Sequence, residues 1–410
     1  MSSSTRLAHR APVKPSPSPS GTPGKRSDVF GWAIPVYMLL LSGGFAFLRS
    51  PLATMRGNEL SIDRAVFTVI NAVTLTGFQQ TMGLDELRVP GQIAVFILMA
   101  GGTLLSLIIG GQLVTRICGL RFSNGLIIIA AGSAIGVAAL FGAAMLGDTV
   151  PHGAFQGVSA LGNSGLFIGK VPACDDLSTV LVLLPLAIAG GLGLVIWLEI
   201  INSFVKRQPI SAHSLIAVST YGAAYIVGTA LLMSQMVMDK PMSAMLATCS
   251  ASAITARSAG FPLTTLDQFT RAGQWILAAL MVLGPASGGT GGGIKGTTLL
   301  VFGRGIRRAY AGERADRALA IAAVWIVAYM LLAFGGFLIL LEVAPQVPGD
   351  RLLFLSISAA SNVGWSHDPI SLVKSALAAL SVIMVLGRML PFAVLYWMSR
   401  SPAAAEVAIG

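Results

Sequence analysis

Val73-Thr74-Leu75-Thr76-Gly77-Phe78 is the first of four short glycine-ended phrases, followed by Leu161-Gly162-Asn163-Ser164-Gly165-Leu166, Arg257-Ser258-Ala259-Gly260-Phe261 and Ser361-Asn362-Val363-Gly364-Trp365. Gly77, Gly165, Gly260 and Gly364 recur about every 90 to 105 residues, so one unit is repeated four times in a single chain. Upstream of each glycine lies an apolar stretch of about ten to twelve residues, such as 62–72 or 351–359. Such a stretch is too short to cross about 30 Å of hydrocarbon. Longer apolar runs flank it on both sides, and the repeating unit reads as span, re-entrant loop, span.

The composition agrees. At 54% hydrophobic and 11% charged residues, with mean hydropathy +0.78, the chain is too apolar for a soluble domain. Runs long enough to span lie at 31–48, 92–115, 125–146, 179–203, 214–235, 275–303, 318–341 and 375–398, which makes four pairs. The expected fold is an all-α polytopic membrane protein: eight transmembrane helices and four re-entrant half-helices around one central pore. Its segments are a disordered tail 1–29, then pore repeats 30–116, 124–207, 211–308 and 316–400.

A net charge of +10 would suggest nucleic acid in a soluble protein, but its placement excludes that partner here. The tail and the loops after every second span hold 15 of the 27 Lys and Arg against four acids; the segments inside each pair hold ten against twelve acids. By the positive-inside rule both termini are cytoplasmic and the four loops enter from outside, through an acidic face that attracts cations. The tail has no apolar core of the signal-peptide kind, and Cys118, Cys174 and Cys249 are too scattered for a disulfide framework.

A half-helix that ends at mid-membrane aims its carbonyl pole at the centre of the ring. The chain then returns in extended form, and its unpaired carbonyls are tolerable only beside a wet pore. Glycine at the turn reaches backbone angles closed to other residues. A ring of such carbonyls replaces the water shell of a weakly hydrated cation. Small-residue helix packing would explain any one copy, but not four copies, each midway between paired spans and on the acidic side.

With those residues in view, Thr74-Leu75-Thr76-Gly77-Phe78, Asn163-Ser164-Gly165-Leu166, Ala256-Arg257-Ser258-Ala259-Gly260-Phe261 and Asn362-Val363-Gly364 resemble the filter loops of the Trk/Ktr/HKT superfamily of potassium transporters. Gly288-Gly289-Thr290-Gly291-Gly292-Gly293-Ile294-Lys295 and Leu386-Gly387-Arg388 resemble its signature loop and the arginine-bearing stretch of its last span. The resemblance covers about residues 30 to 400. It implies K+ as the permeating ion and no organic cofactor on this chain. Its other implications are a homodimer in membrane lipid, a separate cytosolic ring of nucleotide-binding RCK subunits, and residence in a bacterial inner membrane. It also implies a K+ filter made by Thr74, Leu75, Thr76, Gly77, Asn163, Ser164, Gly165, Ser258, Ala259, Gly260, Asn362, Val363 and Gly364. Glycine at all four positions goes with potassium selectivity in that family. Leu75, where relatives often have threonine, and Trp365 are departures.

The stretch 284–296 interrupts a run that would otherwise be one helix, because each glycine costs about 1 kcal/mol relative to alanine and proline about 3. It is expected to be a loop at membrane depth acting as a gate, with Gly288, Gly289, Thr290, Gly291, Gly292, Gly293 and Lys295 in it and Arg388 beside it. A Gly-x-Gly-x-x-Gly match at Gly291, Gly293 and Gly296 has no strand around it, so a dinucleotide site is dismissed. Arg388, near the middle of the last span, would oppose a cation about 6 Å away by roughly 3 kcal/mol at an effective dielectric near 20. Arg257 is expected to brace the third filter loop, and Lys295 could equally serve as a plain cytoplasmic anchor. Glu199 is expected to be a solvated or subunit-contact carboxylate at the cytoplasmic end of the fourth span. The four histidines form no catalytic or metal pattern, which argues against an enzyme. A symporter coupled to H+ or Na+ is the nearer rival, but no carboxylate lies on the expected path to relay protons.

Overall fold

The computed structural model describes residues 29–54, 59–237, 241–314 and 317–399; apart from Val29, the expected tail 1–29 lies outside them. Among the described residues, six helices are long and apolar enough to cross a membrane unbroken: α1 (Val29–Leu48), α3 (Val89–Ile117), α4 (Asn124–Met145), α8 (Ala212–Met233), α12 (Arg317–Val343) and α14 (Lys374–Ser399). Four shorter helices fall between paired spans: α2 (Ile62–Val73), α5 (Val150–Gly162), α9 (Met242–Ser258) and α13 (Gly349–Ala360). These are the half-helices; α9 is longer than the stretch expected from the sequence.

Burial separates two layers. The most apolar windows of α1, α4, α8 and α12, the first spans of their pairs, are 17, 22, 28 and 28% buried, against 61 and 44% for α3 and α14. Leu39, Leu140 and Leu331 on the first spans are about 70% exposed (70, 72 and 69%). On α8 the corresponding residue is Ile226, 66% exposed; no aqueous protein would leave such side chains bare on every outer helix, whereas lipid accepts them. The chain is therefore a multi-pass membrane protein with α3 and α14 on the inside.

The two remaining expected spans are both broken. The run at 179–203 is not one helix: a π turn at Thr179–Leu183 leads into α6 (Leu184–Leu192), which meets α7 (Leu194–Lys206) at 98°. The bend falls at Gly193, with φ +82°, and a β-carbon there would lie 2.6 Å from the Gly288 carbonyl oxygen. This corrects the sequence expectation. The bend frees the last carbonyls of α6, and Gly190 and Gly191 accept hydrogen bonds from Thr290 N (2.9 Å) and Ala286 N (3.2 Å).

The other break lies between α10 (Arg271–Val282) and α11 (Gly296–Tyr310). Here β1 (Leu283–Gly284) pairs in parallel with β2 (Ile294–Lys295), so the chain leaves the helix, makes an excursion and returns beside itself. The expectation that no strand flanks the glycine motif is thus corrected. The ladder is only two residues long and builds no sheet on which a dinucleotide could rest. Glu199 is also corrected: it is buried on α7 and accepts hydrogen bonds from Ser211 Oγ at 2.8 Å and from Ser214 Oγ.

Candidate ion pathway

Each filter phrase begins where a half-helix ends, and three of the four ends share one backbone form. Leu75, Asn163 and Asn362 take left-handed angles (φ +57, +53 and +50°), and the glycine two residues later is also at positive φ (+86, +72 and +85°). The next amides turn back across the helix end: Thr76 N to Asn71 O, Ser164 N to Ser159 O and Val363 N to Ser358 O, at 3.1, 2.9 and 3.0 Å. This closure satisfies carbonyls that the helix leaves unpaired. In the third loop the same bond is one residue later, Gly260 N to Thr255 O at 3.0 Å.

The four loops meet in a closed cycle. A β-carbon on Gly77 would run into the carbonyl of Ser164, one on Gly165 into that of Ala259, one on Gly260 into that of Val363, and one on Gly364 into that of Thr76. Each glycine therefore abuts the carbonyl that precedes the next glycine around the ring, and repeat four returns to repeat one. All four half-helices also deliver their carbonyl poles to this region. Thr74, Thr76, Asn163, Ser164, Ala259, Asn362 and Val363 are wholly buried. The Leu75 side chain packs in the hydrophobic core and, beside Gly162, faces the end of α5 rather than the ring.

The glycine loop lies against these helix ends. Thr290 Oγ1 donates to Leu161 O (3.0 Å) and accepts from Asn163 Nδ2 (2.7 Å), while Gly292 abuts the Ser361 carbonyl and Gly288 the backbone of Gly110 on α3. Arg388, buried on α14, joins loop to filter: Nε donates to Thr74 O (2.7 Å), one terminal nitrogen to Thr290 O and the other to Leu75 O (3.4 Å). Lys295 is not a surface anchor. It is buried, and Nζ donates to the loop carbonyls of Gly291 and Gly292 at 2.6 and 3.0 Å.

Arg257 does brace backbone through carbonyl bonds, but its partners are Leu283, Gly284 and Tyr221 (3.0, 3.1 and 3.0 Å) at the root of the glycine loop, not the filter. Its guanidinium also stands 4.3 Å from the centre of the Tyr221 ring. The structure thus brings the four filter glycines together and sets Thr290, Gly292 and Arg388 against the ends of the half-helices.

Asn71 was not singled out in the sequence. Its Oδ1 accepts from Gly77 N (2.8 Å) and Phe78 N (3.0 Å), and its Nδ2 donates to Phe78 O (2.9 Å), so one buried amide side chain holds the first loop's shape. A signal was present: Asn71, Ser159 and Ser358 all stand six residues before their filter glycine, polar positions within apolar half-helices. Trp365 Nε1 donates to Phe261 O at 3.0 Å and ties the fourth loop to the third. Above the ring, at the end of the bundle that carries Asp267 and Asp368, lies a cavity of about 560 Å³ lined also by Gln79, Gly260, Gly364 and His367.

No protein-family model matches the chain. It is 24% identical over 420 residues to the Ktr system potassium uptake protein D of Bacillus subtilis, a match that covers 90% of this chain and 93% of that protein. It is 28% identical over 236 residues to the potassium/sodium uptake protein NtpJ of Enterococcus hirae, covering 51% of each. The chain thus spans about half the length of that relative. The match to the Ktr system potassium uptake protein B of Vibrio alginolyticus, 29% identical, covers 36% of this chain and 34% of that protein. Among solved structures, the potassium transporter TrkH of Vibrio parahaemolyticus superposes with a TM-score of 0.72 at 17% identity, over 93% of this chain and 86% of that one. The fold is therefore that of TrkH, and these relatives are transport proteins rather than enzymes. They bear out the resemblance carried by the four filter phrases.

Proposed function

Taking a membrane subunit of the Trk/Ktr type as the premise, we propose that this chain takes up K+ across a bacterial cytoplasmic membrane, by gated conduction through the ring of backbone carbonyls around Gly77, Gly165, Gly260 and Gly364. The observation that carries the reading is the closed cycle itself. Four separate loops each place a glycine against the next loop's carbonyl, an arrangement helix packing does not require. Carbonyls held this way replace the hydration of a large, weakly hydrated cation at little cost in protein rearrangement.

The glycine loop is the gate in this reading. It lies against the helix ends on the far side of the ring from the acidic cavity, held by Thr290, Lys295 and Arg388. Opening draws it away from Leu161, Asn163 and Thr74. The charges beside it, Arg388 and Lys295, donate to backbone carbonyls, and among the described residues no carboxylate is bonded to either, which favours conduction over coupled symport. A separate cytosolic RCK-type ring would set the loop's position and a homodimer would seat that ring, both in keeping with the Ktr and TrkH likeness. The termini and the basic loops face the cytoplasm.

The test is uptake of K+ against Na+ by the purified chain in liposomes, with and without a candidate cytosolic subunit. K+ flux that the subunit alters supports the reading. Equal K+ and Na+ flux, or a strict requirement for a proton or Na+ gradient, overturns it.

A further inference from the structure

Gln79 stands two residues past the first filter glycine and lines the cavity above the ring. Its backbone carbonyl accepts from Ile370 N at 2.8 Å, which ties it to the fourth repeat. Its side chain turns the other way, and Nε2 donates to Gly77 O at 2.9 Å and to Gly165 O at 3.1 Å. Both partners are acceptors, so an amide oxygen could not take that place and the orientation of the group is fixed. Gly77 and Gly165 are neighbours in the ring, and Gln79 itself lines the cavity above it together with the other two ring glycines, Gly260 and Gly364. A nitrogen within hydrogen-bonding distance of both oxygens sits between them, where a cation shared by the same two oxygens would sit.

Resting on the filter reading above, we propose that Gln79 is the ion's competitor at the filter mouth: its amide NH2 occupies the Gly77 and Gly165 carbonyls until an arriving cation displaces it, and so sets the affinity of the outermost site. The NH2 group carries partial positive charge and two protons, enough to satisfy both oxygens as a cation would. Displacement exchanges two neutral hydrogen bonds for ion coordination, and the freed side chain moves into the cavity it already lines, beside Thr264 and Gln274. A mere brace between the first two loops makes the opposite forecast. Loss of a brace would loosen the ring, weaken K+ binding and admit Na+.

The experiment titrates the purified full-length chain with KCl and with NaCl and follows thermal stability, since an ion that binds the folded state raises it. With Gln79→Ala the K+ concentration giving half-maximal stabilisation falls about tenfold, equivalent to about 1.4 kcal/mol of lost competition, and the K+/Na+ ratio is unchanged. Gln79→Asn, too short to bridge both oxygens, moves the same way by less. Should the alanine variant not yield monodisperse protein, Gln79→Asn and Gln79→Met, a neutral side chain of similar length that cannot donate, carry a forecast in the same direction. An unchanged or weaker K+ midpoint, or a fall in K+/Na+ preference, overturns the proposal. A wild-type chain that K+ does not stabilise overturns the filter reading and this inference together; a stabilised wild type with unshifted variants overturns this inference alone.

Discussion

Gly77 is held by two constraints at once: φ +86°, and a neighbouring carbonyl where any β-carbon would go. Gly77→Ser must therefore push Ser164 outward and widen one side of the ring. The expected result is a fall of about tenfold or more in the K+/Na+ flux ratio, read with tracer ions in liposomes; an unaltered ratio would remove this carbonyl from the filter. At the mouth, His367 Nε2 donates to Gln274 Oε1 (3.1 Å), and the ring stacks edge-on with Phe354 at 5.0 Å. Burial first, then the Arg351 guanidinium, lowers its pKa below the ordinary histidine value, although Asp350 and Asp368 oppose the shift. The folded state thus binds the proton less well than the unfolded chain. Its stabilising contribution is complete above the unfolded value, about 6.5, and is lost as pH falls through the window down to the folded value. Thermal stability should drop as pH falls below about 6.5, and His367→Gln should flatten that drop; a variant with the wild-type pH profile would exclude the group. The filter glycines were legible in the sequence because a backbone requirement admits one residue type. Asn71 was not, because a single amide in an apolar half-helix is also compatible with an ordinary packing role, and its bonds to Gly77 and Phe78 exist only once the loop has turned back.

Among the elements, two broken helices hold each other. The bend at Gly193 exposes the carbonyls of Gly190 and Gly191, and the glycine loop supplies the amides of Thr290 and Ala286 that fill them. The loop could be read from its density of glycine and proline. The bend could not, since the run at 179–203 is long and apolar enough to read as one span and its glycines match ordinary close packing; the break is stabilised by a partner more than ninety residues away in the chain. Arg388 closes the arrangement, and charge-assisted hydrogen bonds of this kind are worth about 1.5–3 kcal/mol each. Arg388→Ala should raise K+ flux in the absence of any cytosolic subunit by about ten- to a hundredfold, and Arg388→Lys, which keeps the charge but not the planar fork, should recover part of the closure. Deleting residues 286–293 removes the barrier altogether, so its flux should exceed that of Arg388→Ala and ignore the regulator. Flux at the wild-type level in the deletion would end the gate assignment, while a silent Arg388→Ala beside an active deletion would reduce the arginine to a packing group.

For the whole molecule, the repeated phrases made a quasi-fourfold arrangement legible, and hydropathy placed the six unbroken apolar helices but not the bend in the run at 179–203. Neither showed that repeat four closes on repeat one, which is a matter of contact between Gly364 and Thr76 nearly three hundred residues apart. The direction of uptake depends on a further global property, the segregation of charge. Arg304, Arg307 and Arg308 lie on α11 at one end of the bundle, and Asp85, Asp175, Asp176 and Asp267 lie in the segments at the other. Lysine and arginine are retained on the cytoplasmic side during insertion, so the α11 end should be cytoplasmic and the cavity above the ring should face outward. Tyr310, 95% exposed, and Asp175 mark the two ends. In a background where Cys118, Cys174 and Cys249 are replaced by serine, a membrane-impermeant maleimide should label Asp175→Cys on intact cells and Tyr310→Cys only after the membrane is permeabilised. The reverse pattern would place the acidic cavity inside, turn the proposed uptake route around and leave the ring itself unaltered.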